Sequence, residues 1–283
     1  EQPSSAVYLA DVPAKLPAEL APKAMPVSSG EAYGGWVRWS SDGKLLFDDS
    51  NFHSFKAAPD GSGRVRIPDR DTNAAYPISC GPDAFVVAEL SNNMLNLYRY
   101  DQLMRDKRPL TSERDTENPV CTTDGKWVYY TDNLEGPSLK RVSTEGGQTP
   151  QVVATNAFNG ASLSPDDKRI AFMQFVGGNG DHKVQIVAQN LDGSNKVSLP
   201  ANDVIRVPAW TPDGKALVID KATGAGTNLF YQPLDGSTET QITHFNTEPL
   251  LIPAFAFSPD GKQIAITRAN AHDSDLVMFK NFR

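Results

Sequence analysis

The chain has 283 residues, of which 39% are apolar, and it carries a formal net charge of -7 at pH 7. This apolar content is enough for a hydrophobic core, whereas the acidic balance argues against nucleic acid or an anionic membrane surface, since both require a basic face. No apolar run approaches the roughly 20 residues of a membrane span, and the longest, 250–257, contains Pro253. Because the chain begins at Glu1 without Met, we interpret it as having lost a leader or anchor, or as part of a longer protein.

The first 35 residues contain five prolines, which interrupt any long regular element. One short run, Ala6–Ala10, is rich in residues that favour β-structure and predicts a strand. We therefore divide the chain into a closing strand and linker over residues 1–35 and a repeat domain over residues 36–283.

One hairpin pattern recurs through the repeat domain. Its clearest copy is Phe257-Ser-Pro-Asp-Gly-Lys262, which predicts a strand, a tight turn and a second strand, because Ser, Pro and Gly each suit their turn positions. The copies are separated by 41 to 47 residues. Their aspartates are Asp42, Asp83, Asp124, Asp166, Asp213 and Asp260.

The first five repeats each contain four short segments rich in Val, Ile, Tyr and Phe, and the sixth contains three. In the first repeat these segments are 36–40, 45–48, 53–58 and 64–68. Four strands in a unit of about 40 to 50 residues are typical of a propeller blade, and a closed ring buries the faces of every blade. We predict an all-β fold, a six-bladed β-propeller with four-stranded antiparallel blades and no helix longer than about three turns.

The chain ends too early to complete the last blade by itself. In the fifth repeat the fourth strand begins 26 residues after Asp213, at Glu239, whereas only 23 residues follow Asp260. With its third strand predicted at Leu276–Phe282, the sixth blade lacks a fourth. We predict that Ala6–Ala10 fills that place, so that an N-terminal strand closes the ring in the last blade.

The two cysteines, Cys80 and Cys121, each lie three residues before a repeat aspartate, where the other four repeats have a large apolar residue. We interpret them as small buried apolar side chains, with a disulfide as the alternative. Packed sheets lie about 10 Å apart, whereas the Cα atoms of bridged cysteines lie about 4.4–6.8 Å apart, so this spacing favours unbridged cysteines.

The repeats resemble those of the TolB-type, WD-like propeller family, and the resemblance covers residues 36–283. The best matches are 163–172, 210–219 and 257–267. The second repeat departs from the pattern, with Ala84-Phe85 where Gly-Lys is expected. The repeat around Cys121 and the ending 274–283 are similar to the C-terminal propellers of bacterial membrane kinases and regulators. This resemblance implies a place outside the cytoplasm, in the periplasm or exported, but it is specific for fold and not for function.

No motif in the sequence indicates catalysis. The four histidines, His53, His182, His244 and His272, form no metal-binding pair, and there is no Gly-x-Ser-x-Gly or phosphate-binding Gly-rich loop. The repeat aspartates share one position, and we interpret them as hydrogen-bond acceptors within turns. We therefore predict no catalytic residues and no metal ligands.

Two segments resemble calcium loops in part. Residues 69–74 begin like one, but Ala74 replaces the turn glycine and Cys80 replaces the closing Glu. The glycine-rich segment 177–181 occurs only once. We predict no cofactor, with calcium as the alternative.

The connections that lead into the innermost strands carry a set of polar residues. In a propeller these connections surround one mouth of the central channel, where binding sites form from several blades. The alternative is a solvated polar rim. The candidate binding residues are Arg70, Asp71, Arg114, Asp115, Asn156, Asn159, Arg206 and Asn246.

These patterns favour a non-catalytic, extracytoplasmic propeller that serves as a scaffold or sensor module within a larger assembly. The expected partner is a protein or a small ligand at the channel mouth, and not nucleic acid. One alternative is an enzyme, a hydrolase or lyase with a polar, metal-assisted site at the same mouth. Another is an accessory domain whose catalytic neighbour lies elsewhere in a longer protein.

Overall fold

The computed structural model describes residues 5–24, 36–48, 53–67, 77–91, 93–112, 114–177, 183–224, 226–245, 252 and 254–269. These residues form 24 strands and no helix. The strands are arranged in six antiparallel sheets of four strands each. The all-β class and the six-bladed propeller predicted from the repeats are therefore confirmed. In the described ranges no helix is long and apolar enough to cross a membrane.

The strands follow the repeats along the chain. Two precede the first repeat: β1 (Ser5–Asp11) and β2 (Lys23–Ala24). Blade 1 contains β3 (Val37–Trp39), β4 (Leu45–Asp48), β5 (Ser54–Ala57) and β6 (Val65–Arg66). Blade 2 contains β7 (Ile78–Cys80), β8 (Ala84–Ser91), β9 (Met94–Asp101) and β10 (Arg108–Pro109). Blade 3 contains β11 (Thr116–Cys121), β12 (Trp127–Asp132), β13 (Ser138–Ser143) and β14 (Gln151–Thr155).

The remaining blades repeat this plan. Blade 4 contains β15 (Ala157–Leu163), β16 (Arg169–Val176), β17 (Lys183–Asn190) and β18 (Val197–Pro200). Blade 5 contains β19 (Ala209–Trp210), β20 (Ala216–Thr223), β21 (Gly226–Pro233) and β22 (Thr240–Gln241). Blade 6 takes its two inner strands from β23 (Phe255–Phe257) and β24 (Gln263–Ala269).

The ring is closed by the N-terminal segment, but not at the predicted position. The strand order in blade 6 is β2-β1-β24-β23, so β1 is the third strand and β2 the fourth. All seven residues of β1 pair with β24, from Ser5 opposite Ala269 to Asp11 opposite Gln263. The prediction of a fourth strand at Ala6–Ala10 is therefore wrong, because the N-terminal segment supplies both outer strands. The predicted strand Leu276–Phe282 lies outside the described residues.

The hydrophobic core lies between neighbouring blades. Between blades 4 and 5, for example, Met173 and Ile186 belong to one buried cluster with Trp210, Leu217 and Ile219. These side chains alternate along their strands with residues that face the other way, as expected for period-2 strands packed face to face. Because each blade packs against a neighbour on both faces, its innermost strand is fixed in position beside the central channel.

Five of the six repeat aspartates accept hydrogen bonds within their turns, as predicted. In blade 5 the Thr211 hydroxyl donates to Asp213 Oδ1 at 2.7 Å, and the same oxygen accepts the backbone N–H of Lys215 at 3.0 Å. Gly214 has a φ of 66°, in the left-handed region that suits glycine. The Ser or Thr hydroxyl donates to the aspartate in five of the six repeats. Blade 2 has Cys80-Gly-Pro-Asp in place of this pattern.

These turns predict the acid stability of the protein. Hydrogen bonds from the neighbouring Ser or Thr hydroxyl, joined by the backbone N–H two residues on, lower the pKa of Asp124, Asp166 and Asp260. A carboxyl whose pKa is lower in the folded chain adds stability above its unfolded value of about 3.9 and loses it as the pH falls through the folded value. We therefore expect the melting temperature to decrease as the pH drops below about 4.

The matched comparison is a variant with Asn at all three positions. The difference in melting temperature between wild type and the D124N/D166N/D260N variant should be largest at pH 6 and should shrink below pH ~4. A difference that stays constant with pH would show that these carboxylates are not the groups that titrate on unfolding.

The expectation that Cys80 and Cys121 are unbridged is wrong. They form a disulfide between β7 and β11, with their Cα atoms 5.1 Å apart. The mean spacing of packed sheets does not apply here, because innermost strands of adjacent blades converge towards the axis. Next to the bridge, a Cβ on Gly81 would lie 3.0 Å from the Cα of Gly125, so the two backbones are in contact. Both glycines also have positive φ, a conformation that residues with side chains rarely adopt. The close approach and the backbone conformation therefore both require glycine here.

Candidate binding site around the central channel

The ring has two distinct faces because the strands within each blade alternate in direction. One face carries the connections that lead into the innermost strands, together with the loops between second and third strands. We call it the mouth face. The other face carries the Asp-containing turns between first and second strands, and we call it the hairpin face. Of the predicted binding residues that the structure describes, Arg114, Asp115, Asn156 and Arg206 lie in connections on the mouth face, and Asn159 lies within β15.

A cavity of about 560 Å³ lies between the innermost strands of blades 1, 3, 4, 5 and 6. Two of the predicted residues, Asn159 and Arg206, line it. Arg114, Asp115 and Asn156 belong to the mouth-face connections but not to the cavity wall. The other three predicted residues, Arg70, Asp71 and Asn246, lie outside the described residues. Of the predicted set, the cavity therefore brings together Asn159 and Arg206.

Arg206 is held at the cavity by a buried carboxylate. Its backbone N–H donates to Asp220 Oδ1 at 3.0 Å, and its Nε donates to the carbonyl oxygen of Ile252 at 2.8 Å. The same Nε lies 3.8 Å from Asp220 Oδ2, an oxygen that is buried without a hydrogen bond. Burial raises the pKa of Asp220, an effect that the charge of Arg206 opposes. Arg206 thus compensates a carboxylate that has no exposed surface.

Arg114 takes part in a second buried carboxylate cluster, in blade 3. Asp132 is buried and pairs with Lys140 Nζ at 2.8 Å and with Arg114 Nη1 at 3.7 Å. Nearby, the hydroxyl of Tyr130 is buried without a hydrogen bond. Burial and the charge of Asp132 raise the pKa of Tyr130. Arg114 and Arg206 therefore each support a buried acid at the mouth face.

Asn159 marks a bulge that has a counterpart in the preceding blade. The pairing register shifts between Phe158 and Ala161 in β15 and between Glu117 and Val120 in β11. Within these shifts Asn159 has a φ of 60° and Asn118 a φ of 49°, a region that Asn tolerates better than most residues. Asn118 also lines the cavity, although the sequence analysis did not select it.

Arg38 is the most important residue that the sequence analysis missed. It lies in β3, two residues before the turn residue Ser40, and it lines the cavity. The corresponding residues in the other repeats are all uncharged: Ser79, Val120, Ser162, Ala209 and Ala256. A single charge at a position that is small or apolar in the other five repeats was visible in the sequence and could have identified it.

Exposed apolar side chains concentrate on the mouth face. Among the described residues, eight large apolar side chains are exposed. Five of the eight are at the ends of second strands or in mouth-face connections: Leu90, Leu134, Phe175, Val176 and Ile205. The other three, in the outer strands or the turn before β10, are Val65, Leu103 and Val152. Arginines occur on the same face, and both large apolar side chains and arginines are found in protein interfaces.

The calcium-like segment 69–74 lies outside the described residues, and so does the segment 177–181 except for Gly177. Within the described ranges, no three His, Cys, Asp or Glu side chains come together as a metal-ligand set.

Comparison with known proteins agrees with this architecture. No protein-family model matches the chain. The Tol-Pal system protein TolB of Francisella tularensis subsp. mediasiatica (strain FSC147) is 25% identical over 100 residues, which are 34% of this chain and 22% of that protein. The chain thus matches only about a fifth of the length of this curated relative.

Solved structures match nearly the whole chain. A protein assigned as TolB from Agrobacterium tumefaciens has a TM-score of 0.69 at 16% identity, over 95% of this chain and 99% of that one. The chain has the fold of a TolB propeller. TolB from Acinetobacter baumannii has a TM-score of 0.61 at 18% identity, over 94% of this chain and 65% of that one. The fold is shared with enzymes too, including a gluconolactonase from Xanthomonas campestris with a TM-score of 0.59 at 17% identity, over 93% of this chain and 95% of that one.

Proposed function

We propose that this TolB-like propeller is a non-catalytic, protein-binding module that works outside the cytoplasm and docks its partner on the mouth face. The observation that carries the proposal is the concentration of exposed apolar side chains on that face, five of the eight in the described residues. Protein interfaces combine apolar contacts with arginines, and Arg114 and Arg206 lie among these side chains. Likeness to a Tol-Pal system protein supports membership of a larger assembly.

The disulfide supports the proposed location. Disulfides persist in oxidising compartments such as the periplasm and are rare in reducing ones. Cys80 and Cys121 are the only cysteines of the chain, and they form a bridge between two blades. A role as the sensor propeller of a membrane kinase or regulator, which the resemblance implied, remains a prediction.

The test should avoid residues that also support the fold. Replacing Arg206 would leave the carboxylate of Asp220 buried without its compensating charge, and breaking a buried pair in this way costs about 3–5 kcal/mol. Loss of binding in such a variant would not be distinguishable from loss of structure. Leu134 and Ile205 are better choices, because their side chains are 44% and 39% exposed.

We expect the L134S/I205S variant to bind the partner about tenfold more weakly than wild type, a change of about 1.4 kcal/mol. The partner is first isolated by photo-crosslinking to the mouth face in an extracytoplasmic extract. It is then purified and titrated against both proteins by calorimetry. Equal melting temperatures of variant and wild type establish that the fold is intact.

The matched control changes two equally apolar side chains away from the mouth face, Val65 and Leu103, which are 64% and 57% exposed. The V65S/L103S variant should bind like wild type. Equal weakening in both variants, or none in either, would contradict docking on the mouth face. The enzyme alternative has its own test: a hydrolase and lyase screen, with and without added divalent metal ions.

A further inference from the structure

The central cavity contains an arginine whose charge is not balanced by an ion pair in the described part of the chain. Arg38 donates from Nη1 to the carbonyl oxygen of Val37 at 3.3 Å, and its guanidinium carbon lies 5.1 Å from the ring centroid of Trp36. Neither contact supplies a negative charge. This arginine stands in β3 at the position where the five other repeats have an uncharged residue.

A second guanidinium reaches the same cavity. Arg206 uses its Nε for Ile252 and Asp220, whereas its terminal nitrogens have no hydrogen-bond partner among the described residues. The two arginines are close enough to influence each other: burial, followed by the charge of Arg206, lowers the pKa of Arg38 to about 10. Two like charges that repel each other inside a cavity are stabilised when an anion binds between them.

The rest of the cavity wall indicates which anion fits. Trp36, Val207 and Phe255 give the wall apolar surface, and its volume of about 560 Å³ is within the range of small-molecule sites. At the hairpin end the wall includes Asp167 and Asp260, whose charges disfavour a ligand with several negative groups. A single carboxylate on an apolar body provides one negative charge for the arginines and brings no second negative charge near the two aspartates.

We infer that the cavity binds an organic monocarboxylate, with the carboxylate held between Arg38 and Arg206 and the apolar body against Trp36 and Phe255. Guanidinium groups match carboxylates geometrically, with two parallel N–H donors for two oxygens. This ligand site lies in the channel and does not depend on the protein docking proposed for the mouth face.

The test compares three probes at one ionic strength: benzoate, its neutral analogue benzamide, and inorganic phosphate. Benzoate should bind with a Kd on the order of 1 mM, measured by tryptophan fluorescence. It should also shift the NMR signals of the Nε–Hε groups of Arg38 and Arg206. The NMR signals test the site in the wild-type protein, so the inference stays falsifiable even if a variant fails to fold.

The variant arm uses R38Q, which should weaken benzoate binding at least tenfold. The control is R105Q, at an arginine whose side chain is 70% exposed in the turn before β10, on the hairpin face; it should bind benzoate like wild type. The inference is overturned if benzamide binds as tightly as benzoate, if phosphate binds and benzoate does not, or if R38Q binds benzoate like wild type.

Discussion

Deletion of residues 1–12 is expected to destabilise the protein more than any other change considered, and to make it aggregate. These residues include the whole of β1, which pairs with β24 over seven residues and places Val7 and Ala10 in the core. Burying one valine contributes about 1.5–3 kcal/mol and each backbone hydrogen bond about 1 kcal/mol. The summed loss approaches the 5–15 kcal/mol that typically stabilises a whole domain.

The structural consequence is an open edge. Without β1 the backbone groups of β24 on that side lose their partners, and an unpaired strand edge recruits other chains. The strand β2 also loses its neighbour, because β1 is its one partner among the described strands. Thermal unfolding and analytical ultracentrifugation of the truncated protein should show a lower melting temperature and larger species.

Two controls connect the effect to the closing strand. V7A should cost roughly 2 kcal/mol, because it removes buried methyl groups. K15A, at an exposed residue beyond the strand, should cost nothing measurable. A synthetic peptide of residues 1–24 should restore the melting temperature of the truncated protein. If truncation leaves both melting temperature and size unchanged, the N-terminal strand does not hold the ring closed.

The fold could be predicted from the sequence because its repeated unit is local. A Ser-Pro-Asp-Gly-Lys turn places hydroxyl, carboxylate and glycine within six residues, so each hairpin is visible without knowledge of its neighbours. Counting these hairpins was sufficient for six blades. The position of β1 was not local: Ser5 pairs with Ala269, and no nearby residue indicates whether β1 lies third or fourth in its blade.

The candidate site was predicted only in part, for a similar reason. Connections between blades could be found by their place in the repeat, which pointed to Arg206 and to the nearby Asn159, and both residues line the cavity. Arg38 belongs to an innermost strand, where the apolar pattern identifies the strand but does not show which of the alternating residues face the channel. The disulfide depends on how closely innermost strands converge near the axis, which is a property of the closed ring and not of either repeat.

Removal of that disulfide is expected to have the second largest effect on stability. The bridge joins residues 41 positions apart, and closing a loop of this length restricts the unfolded chain by about 4 kcal/mol. For a protein of this size a loss of 1 kcal/mol lowers the melting temperature by about 2–4 °C. The C80A/C121A variant should therefore melt roughly 10 °C below the oxidised wild type.

Reduction provides the matched comparison within one sequence. Addition of a phosphine reductant under partly denaturing conditions should lower the melting temperature of the wild type to near that of C80A/C121A, and should leave the variant unchanged. The backbone contact between Gly81 and Gly125 remains in the variant, so blades 2 and 3 should still pack and the circular dichroism spectrum should be preserved.

Because the bridge and β1 lie in different blades, their effects on the free energy of unfolding should add. A melting temperature within 2 °C of the oxidised wild type would show that packing between these blades, and not the covalent bond, maintains the ring at this point.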